Sequence, residues 1–175
     1  MSNSGFVVDV LDMEDKKVMH LVADELDGLG TKVVKLYGVS NGIMAMIDAV
    51  IYAVEGKPSS IRVLRFWGHG YIGGDGQIVV GDVALVHSNV DRVGVKMMRL
   101  RPYFMNGARV ELRGCEVASG NGKEVMLELA KIWNVNVQGS EKDQFSIIAW
   151  TPPVKEALPD GGFRGTSGVG IRDER

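Results

Sequence analysis

Residues 61–70 read IRVLRFWGHG, an apolar segment that runs straight into a Gly-His-Gly turn. Branched and aromatic side chains before such a turn are typical of a buried strand. Residues 108–119, ARVELRGCEVAS, have the same layout: a short apolar strand, then a glycine, then a cysteine. We therefore expect His69 and Cys115 each to lie at the end of a core strand.

Strands and helices alternate on both sides of these two segments. The other predicted strands are residues 5–11, 31–36, 135–138 and 146–150. Apolar residues at helical spacing predict helices between them, and the glycine-rich residues 71–81 predict a hairpin or flap. The alternation predicts an α/β fold, a three-layer αβα sandwich around a mostly parallel sheet. Residues 1–150 are expected to form this domain, and residues 151–175 a loop-rich tail.

The composition limits the class of protein. A chain of 175 residues, 45% apolar and 24% charged, suits one globular domain. A net charge of −2 offers no basic field for nucleic acid or an anionic membrane. No apolar run reaches the length of a membrane helix, and no signal peptide is recognised. These features predict a cytoplasmic protein, with export by a route that needs no signal peptide left open.

Cys115 is the only cysteine of the chain. A single cysteine forms no internal disulfide and no cysteine-rich zinc site, and we expect neither a metal nor a cofactor. The thiol is then either an inert core residue or a reactive group. Free cysteine is among the most buried residue types, which favours the inert role when Cys115 is taken alone.

The reactive role needs an imidazole near the thiol. A cysteine nucleophile acts as its thiolate, and a neighbouring histidine is a common way to generate that form. His69 is the candidate, because functional groups of parallel sheets collect at the carboxyl ends of the strands. A glycine before each residue lets a substrate approach the backbone, and the N–H of Gly70 is available to an oxyanion.

Residues 61–70 and 108–119 resemble the two signature segments of the caspase-like, clan CD cysteine peptidases. In that clan one strand ends in His-Gly and a later one in a small residue followed by Cys, about 50 residues apart. The resemblance is closer to a bacterial family of unknown function with this fold, often found at the start of large surface or secreted proteins. It rests on Gly-Cys-x-x-Ala at residues 114–118 and on residues 122–130, and it covers roughly residues 5–145.

The resemblance implies a role for each residue of the pair. Cys115 is the implied nucleophile and His69 the base and proton shuttle, with the N–H groups of Gly70 and Cys115 as the oxyanion hole. The implied activity is that of a hydrolase: a cysteine endopeptidase, or a self-processing peptidase domain, that acts on a protein or peptide. The oligomeric state is left open.

Arg113 and Asp143 are the candidate substrate-binding residues. Side chains two apart on a strand point the same way, so Arg113 is expected on the face of Cys115, where a guanidinium favours an acidic partner. Asp143, with Glu141 and Gln144 beside it, is expected to line a pocket from the loop after a predicted strand. The ordinary alternatives are a structural arginine and a solvated loop charge.

Other functions remain as alternatives. A catalytically silent caspase-like module for protein–protein binding is one, since the sequence identifies no third residue that orients His69. A doubly wound domain that binds a nucleotide or small molecule is another, but the chain lacks the glycine fingerprint. Two further cysteine chemistries are excluded: amidotransferase-like enzymes place the histidine after the cysteine, and a cysteine phosphatase loop needs an arginine where this chain has Asn121.

Overall fold

A computed structural model of the protein has the predicted α/β architecture. It describes residues 5–13, 16–37, 42–70, 78–80, 83–144 and 149–166. The strands are β1 (Phe6–Asp12), β2 (Lys32–Leu36), β3 (Ile61–Trp67), β4 (Ile78–Val80), β5 (Val83–Leu85), β6 (Phe104–Arg113), β7 (Asn136–Ser140), β8 (Val154–Ala157) and β9 (Phe163–Thr166). The helices are α1 (Lys16–Asp27), α2 (Ile43–Ala53), α3 (Val90–Met97), which continues into a 3-10 helix at Met98–Tyr103, and α4 (Gly122–Trp133).

The main sheet of the described residues has the strand order β2-β1-β3-β6-β7-β8-β9. Its first five strands are parallel, and β8 and β9 are antiparallel additions. This topology confirms the mostly parallel sheet. Since β3 and β6 are central neighbours, the turns that follow them leave the sheet side by side.

Helices cover both faces of the sheet. On one face, buried residues of α2, α3 and α4 pack with strand residues such as Phe66 and Val110 into one apolar cluster. On the other, α1 packs through Leu26 onto Leu11 and Trp67. Along β1, and along β3 after the register shift that follows Ile61, the strand residues of the two clusters have opposite parity, as the alternation of side chains across a strand requires. The three-layer sandwich is therefore confirmed.

A row of buried polar side chains crosses the sheet on the α1 face. Its members are register partners on neighbouring strands: Asp9, Arg65, Glu111, Gln138 and Glu156. Each is at most 4% exposed. Buried charges require partners of opposite sign, and Arg65 here lies between the carboxylates of Asp9 and Glu111. The paired charges of the row therefore stabilise the register of the central strands. The row crosses β6 at Glu111, two residues before this strand ends.

The structure corrects the predicted loop-rich tail over residues 154–166. There β8 pairs with β7, and β9 pairs with β8, so the sheet extends past residue 150. Pro159, Gly161 and Gly162 lie in the turn between the two strands, where Gly161 has φ +96° and the N–H of Leu158 donates to the carbonyl of Gly162 at 2.8 Å. Pro152 and Pro153 precede β8. Short antiparallel strands are stabilised by backbone pairing, which such a composition does not reveal.

Two other predictions fall partly on residues outside the description. Of the predicted flap at 71–81, the structure describes β4, which pairs with β5 in an antiparallel hairpin. Of the predicted strand at 146–150, only Ala149 and Trp150 are described, and neither is in a strand. In the described part of the chain, no helix combines the length and apolar character needed to cross a membrane.

Candidate active site

β3 and β6 place His69 and Cys115 at the same edge of the sheet. The two strands are parallel, and their last register pair is Trp67 with Arg113. His69 and Cys115 are each the second residue after that pair. Both therefore lie at the carboxyl ends of neighbouring core strands, as predicted, where α/β sheets collect their functional groups.

The turns that follow the two strands are in direct backbone contact. A Cβ built on Gly70 would lie 1.7 Å from the carbonyl oxygen and 2.6 Å from the amide nitrogen of Cys115. A Cβ built on Gly114 would lie 3.0 Å from the amide nitrogen of Gly70 and 3.1 Å from the carbonyl oxygen of Gly68. No side chain fits at Gly70, so glycine is required where the turns meet. Gly114, for which the sequence predicts room for a substrate, lies against the neighbouring turn.

The turn at His69 is supported by the hairpin of β4 and β5. The carbonyl oxygen of His69 accepts a hydrogen bond from the N–H of Val79 at 3.1 Å, and Gly70 forms an antiparallel bridge with Ile78. Ile78 and Leu85 are fully buried, so the hairpin is anchored in the core. The backbone of His69 is held from this side while its side chain is exposed.

The turn at Cys115 is held by the segment that follows β7. The sulfur of Cys115, which is half-buried, accepts a hydrogen bond from the N–H of Gln144 at 3.3 Å. The next residue, Glu116, adopts the left-handed conformation with φ +51°, and its N–H donates to the carbonyl of Lys142 at 3.0 Å. Residues 141–144 therefore form a wall of the site on the side away from His69's strand.

The surroundings of Cys115 keep it as a thiol. Burial raises the pKa of Cys115, and the negative charges of Asp143 and Glu116 raise that pKa further, while the Gln144 N–H opposes them only in part. Cys115 is therefore protonated at neutral pH. Nucleophilic chemistry there needs a base that takes the proton during attack, and His69 is the imidazole at this edge of the sheet.

Asp143 lies at the site, as its predicted place in a loop suggested. Its carboxylate is close enough to Cys115 to interact with the thiol both as a charge and as a hydrogen-bond acceptor. Its Oδ1 atom is buried and has no hydrogen-bond partner among the described residues. Glu141, two residues earlier, is instead paired with Lys123 at 2.7 Å. The role of Asp143 in substrate binding stays a prediction.

The side chain of Arg113 is buried beside the polar row, against Glu111, rather than exposed at the open edge. Its side chain is 1% exposed, and its guanidinium lies 2.6 Å from Glu111 through Nη2. The Arg113 Nε also donates to Glu111 at 2.9 Å, and the ring of Trp150 lies 3.8 Å from the guanidinium carbon. In this position Arg113 binds protein groups. Its predicted contact with a substrate is untested.

Sequence reasoning missed the contribution of Trp150. The sequence predicts a strand over residues 146–150, and no local pattern reveals that the ring of Trp150 lies on a guanidinium. One signal was present at Glu111, since a carboxylate inside a core strand requires buried partners.

The other two histidines of the chain lie on α1 and between β5 and α3. His20 is exposed on α1, and His87 lies 3.2 Å from Glu124. Within the described ranges, His, Cys, Asp and Glu side chains form no cluster able to hold a metal ion.

Comparisons with known proteins give one family and six similar chains among solved structures. No curated protein is similar enough to the sequence to count as a relative. The structure is similar to a secreted C11 cysteine protease from Bacteroides thetaiotaomicron, solved in complex with an irreversible peptide inhibitor, at 13% identity and a TM-score of 0.49 over 79% of this chain and 49% of that one. This chain thus spans about half the length of that protease chain. A family model matches residues 8–144, most of the sequence, and the chain belongs to that family, described as "Domain of unknown function (DUF4347)".

Proposed function

We propose that the protein is a cysteine peptidase in which Cys115 and His69 form a catalytic dyad. The observation that carries the proposal is the backbone contact between Gly70 and Cys115 at the ends of β3 and β6. This contact joins the histidine turn to the cysteine turn and brings the amides of Gly70 and Cys115 together. Two adjacent N–H groups beside a nucleophile suit the oxyanion of an acyl-transfer reaction.

The proposed reaction starts from Cys115 as a neutral thiol, because the pKa of this thiol is raised. As the sulfur attacks the carbonyl carbon of a peptide, the thiol proton passes to the imidazole of His69. The C–N bond breaks, the imidazolium gives its proton to the departing amine, and a thioester remains on Cys115. Water, deprotonated by His69, then hydrolyses the thioester, which releases the acid and restores the thiol.

Asp143 is the proposed contact for the substrate. Its carboxylate lies beside the thiol and keeps a buried oxygen without a hydrogen-bond partner among the described residues. A half-buried carboxylate favours a cationic group, since a bound guanidinium or ammonium supplies the missing donors. The proposed substrate therefore carries a basic side chain next to the bond that is cut.

An activity-directed probe tests the dyad. A peptidyl acyloxymethyl ketone with arginine next to the reactive group is expected to label Cys115, and the labelling is expected to fall at least tenfold in His69→Ala. His20→Ala and His87→Ala are the matched controls, because both histidines are outside the site. A peptide library should be cleaved after basic residues, or the chain should cut itself, and Cys115→Ala should do neither. Equal labelling of His69→Ala and the native protein contradicts the dyad, and absence of all cleavage with an accessible thiol would favour a protein-interaction module.

A further inference from the structure

The guanidinium of Arg113 contacts the carboxylate of Glu111 and the indole rings of Trp150 and Trp67. Glu111 binds it at 2.6 Å and 2.9 Å, and Glu111 also binds Arg65 at 3.2 Å. The guanidinium carbon lies 3.8 Å from the ring centre of Trp150 and 5.5 Å from that of Trp67. Cation–π contacts of this length between desolvated groups are among the stronger side-chain contacts. These contacts hold the guanidinium of Arg113 in place at the end of β6.

The ring of Trp150 packs on the guanidinium of Arg113. It is 7% exposed, although it belongs to a connecting segment between β7 and β8 rather than to a strand or helix. Connecting segments run over the surface and are usually less ordered than the elements they join. The stacking on Arg113 thus gives this segment a buried anchor.

The residue after Trp150 is tied to the wall of the candidate site. The carbonyl of Thr151 accepts hydrogen bonds from the hydroxyl of Ser140 at 2.6 Å and from the side-chain amide of Gln144 at 3.5 Å. The N–H of Thr151 donates to the Oε1 of Gln144 at 3.4 Å. Gln144 in turn donates its backbone N–H to the sulfur of Cys115 at 3.3 Å. A continuous series of contacts therefore joins Arg113 to the sulfur through Trp150.

We infer that Arg113 and Trp150 are positioning residues, which hold the Thr151–Gln144 contact and so keep the Gln144 amide against the sulfur of Cys115. The inference rests on the proposed function for its catalytic meaning, since it concerns the nucleophile of that reaction. It gives Arg113 a role behind the site in place of direct contact with a substrate. The effect of Trp150 on the thiol can be measured without any peptide cleavage.

Among the described residues, the charged groups near the thiol are on Asp143, Glu116 and Lys142, and the effect of the amide is considered apart from theirs. Asp143 and Glu116 raise the pKa of Cys115, and His69 lies at the end of the neighbouring strand. Lys142 is exposed and meets the cysteine turn through its backbone carbonyl. The Gln144 amide is the contact that lowers the thiol pKa.

Alkylation by iodoacetamide measures this contact directly. The chain has one cysteine, so the total rate reports Cys115 alone. The rate is measured against pH. The midpoint of the curve gives the pKa of the thiol, and the rate at the high-pH plateau reports how accessible the sulfur is to the reagent. In Trp150→Ala the midpoint is expected to rise, with a fall of about three- to tenfold in rate below the midpoint, since a hydrogen bond to the thiolate is lost. Trp150→Phe keeps a ring on Arg113 and is expected to retain the native midpoint.

Gln144→Ala removes the side-chain bonds to Thr151 and leaves Trp150 in place. It is expected to shift the midpoint in the same direction as Trp150→Ala, and it serves if Trp150→Ala does not fold. Trp133→Phe, a buried tryptophan change on α4, is the control and should leave the midpoint unchanged. An unchanged or lower midpoint in both Trp150→Ala and Gln144→Ala overturns the inference. Because no peptide is cleaved in this experiment, its outcome is independent of the probe and library results on the dyad.

Discussion

Gly70 touches the peptide group of Cys115, the residue that follows the neighbouring strand. The carbonyl oxygen of Cys115 occupies the space where a Cβ on Gly70 would stand, 1.7 Å from its ideal position. The contact joins two turns that are far apart in sequence but adjacent across the register of β3 and β6. Any displacement of one turn therefore moves the other.

Gly70→Ala is expected to destabilise the protein and to separate the two turns. A methyl group against rigid backbone cannot be relieved by a side-chain rotation, so we expect a loss of about 3 kcal/mol in the free energy of unfolding. Urea denaturation measures the loss. Gly28→Ala is the control, since nothing lies within 4 Å of the added carbon, and it should change stability by less than about 1 kcal/mol. Equal stability of the two variants would contradict the close contact.

The sequence was sufficient for the parts of the site that local pattern determines. Residues 61–67 and 108–112 have the apolar composition of core strands, and their Gly-His and Gly-Cys endings placed His69 and Cys115 correctly. Pairing between strands carries no local signal, and for that reason the sequence predicts a loop where β8 and β9 lie. Arg113 has a local partner, Glu111, two residues earlier on β6, and a distant one, Trp150, whose place over the guanidinium depends on long-range packing that carries no local signal.

Glu111→Gln is expected to destabilise the protein strongly at neutral pH. Burial raises the pKa of Glu111, but the guanidinium groups of Arg113, Arg65 and Arg109 outweigh burial and hold that pKa below its ordinary value. Removing the charge takes a shared carboxylate from three arginines, and breaking a buried ion pair typically costs about 3–5 kcal/mol. Glu128→Gln, on an exposed pair with Lys131, should cost less than about 1 kcal/mol.

The effect of Glu111→Gln should also depend on pH. A carboxyl whose folded-state pKa is lowered stabilises the fold above its unfolded-state pKa, and this contribution is lost as the pH falls through the folded-state pKa. The difference in unfolding free energy between native protein and variant should therefore shrink below the ordinary glutamate pKa of 4.5. Urea denaturation at a series of pH values measures it. A difference that stays constant or grows on acidification would show that Glu111 is not held ionised by the arginines.

Trp133→Phe is expected to weaken the contact between α4 and α3 while preserving the core. The indole N–H of Trp133 donates to the carbonyl of Met97 at 2.9 Å, and its ring stacks on Phe66 with centroids 6.0 Å apart. Phenylalanine keeps the stacking and loses the hydrogen bond, a cost of about 1–2 kcal/mol, whereas Trp133→Ala should cost about 3–5 kcal/mol. Thermal and urea unfolding measure both losses. Tyr52→Ala, at a side chain that is 86% exposed, should be nearly neutral.

Asp143→Asn is expected to make Cys115 more reactive toward a simple alkylating agent. The carboxylate of Asp143 raises the pKa of the thiol by its charge and by its hydrogen bond, so a neutral amide at this position removes both influences. The midpoint of iodoacetamide alkylation should move to lower pH, and the rate at neutral pH should rise several-fold, because each pKa unit is a factor of ten in thiolate. Asp160→Asn, in the exposed turn between β8 and β9, is the matched control and should leave the midpoint where it is.

Asp143→Asn should also weaken cleavage after basic residues if Asp143 binds the substrate. This one variant would then gain thiol reactivity and lose peptidase activity. If thiol alkylation and peptide cleavage both became faster, Asp143 would act only on the thiol and would not bind the substrate.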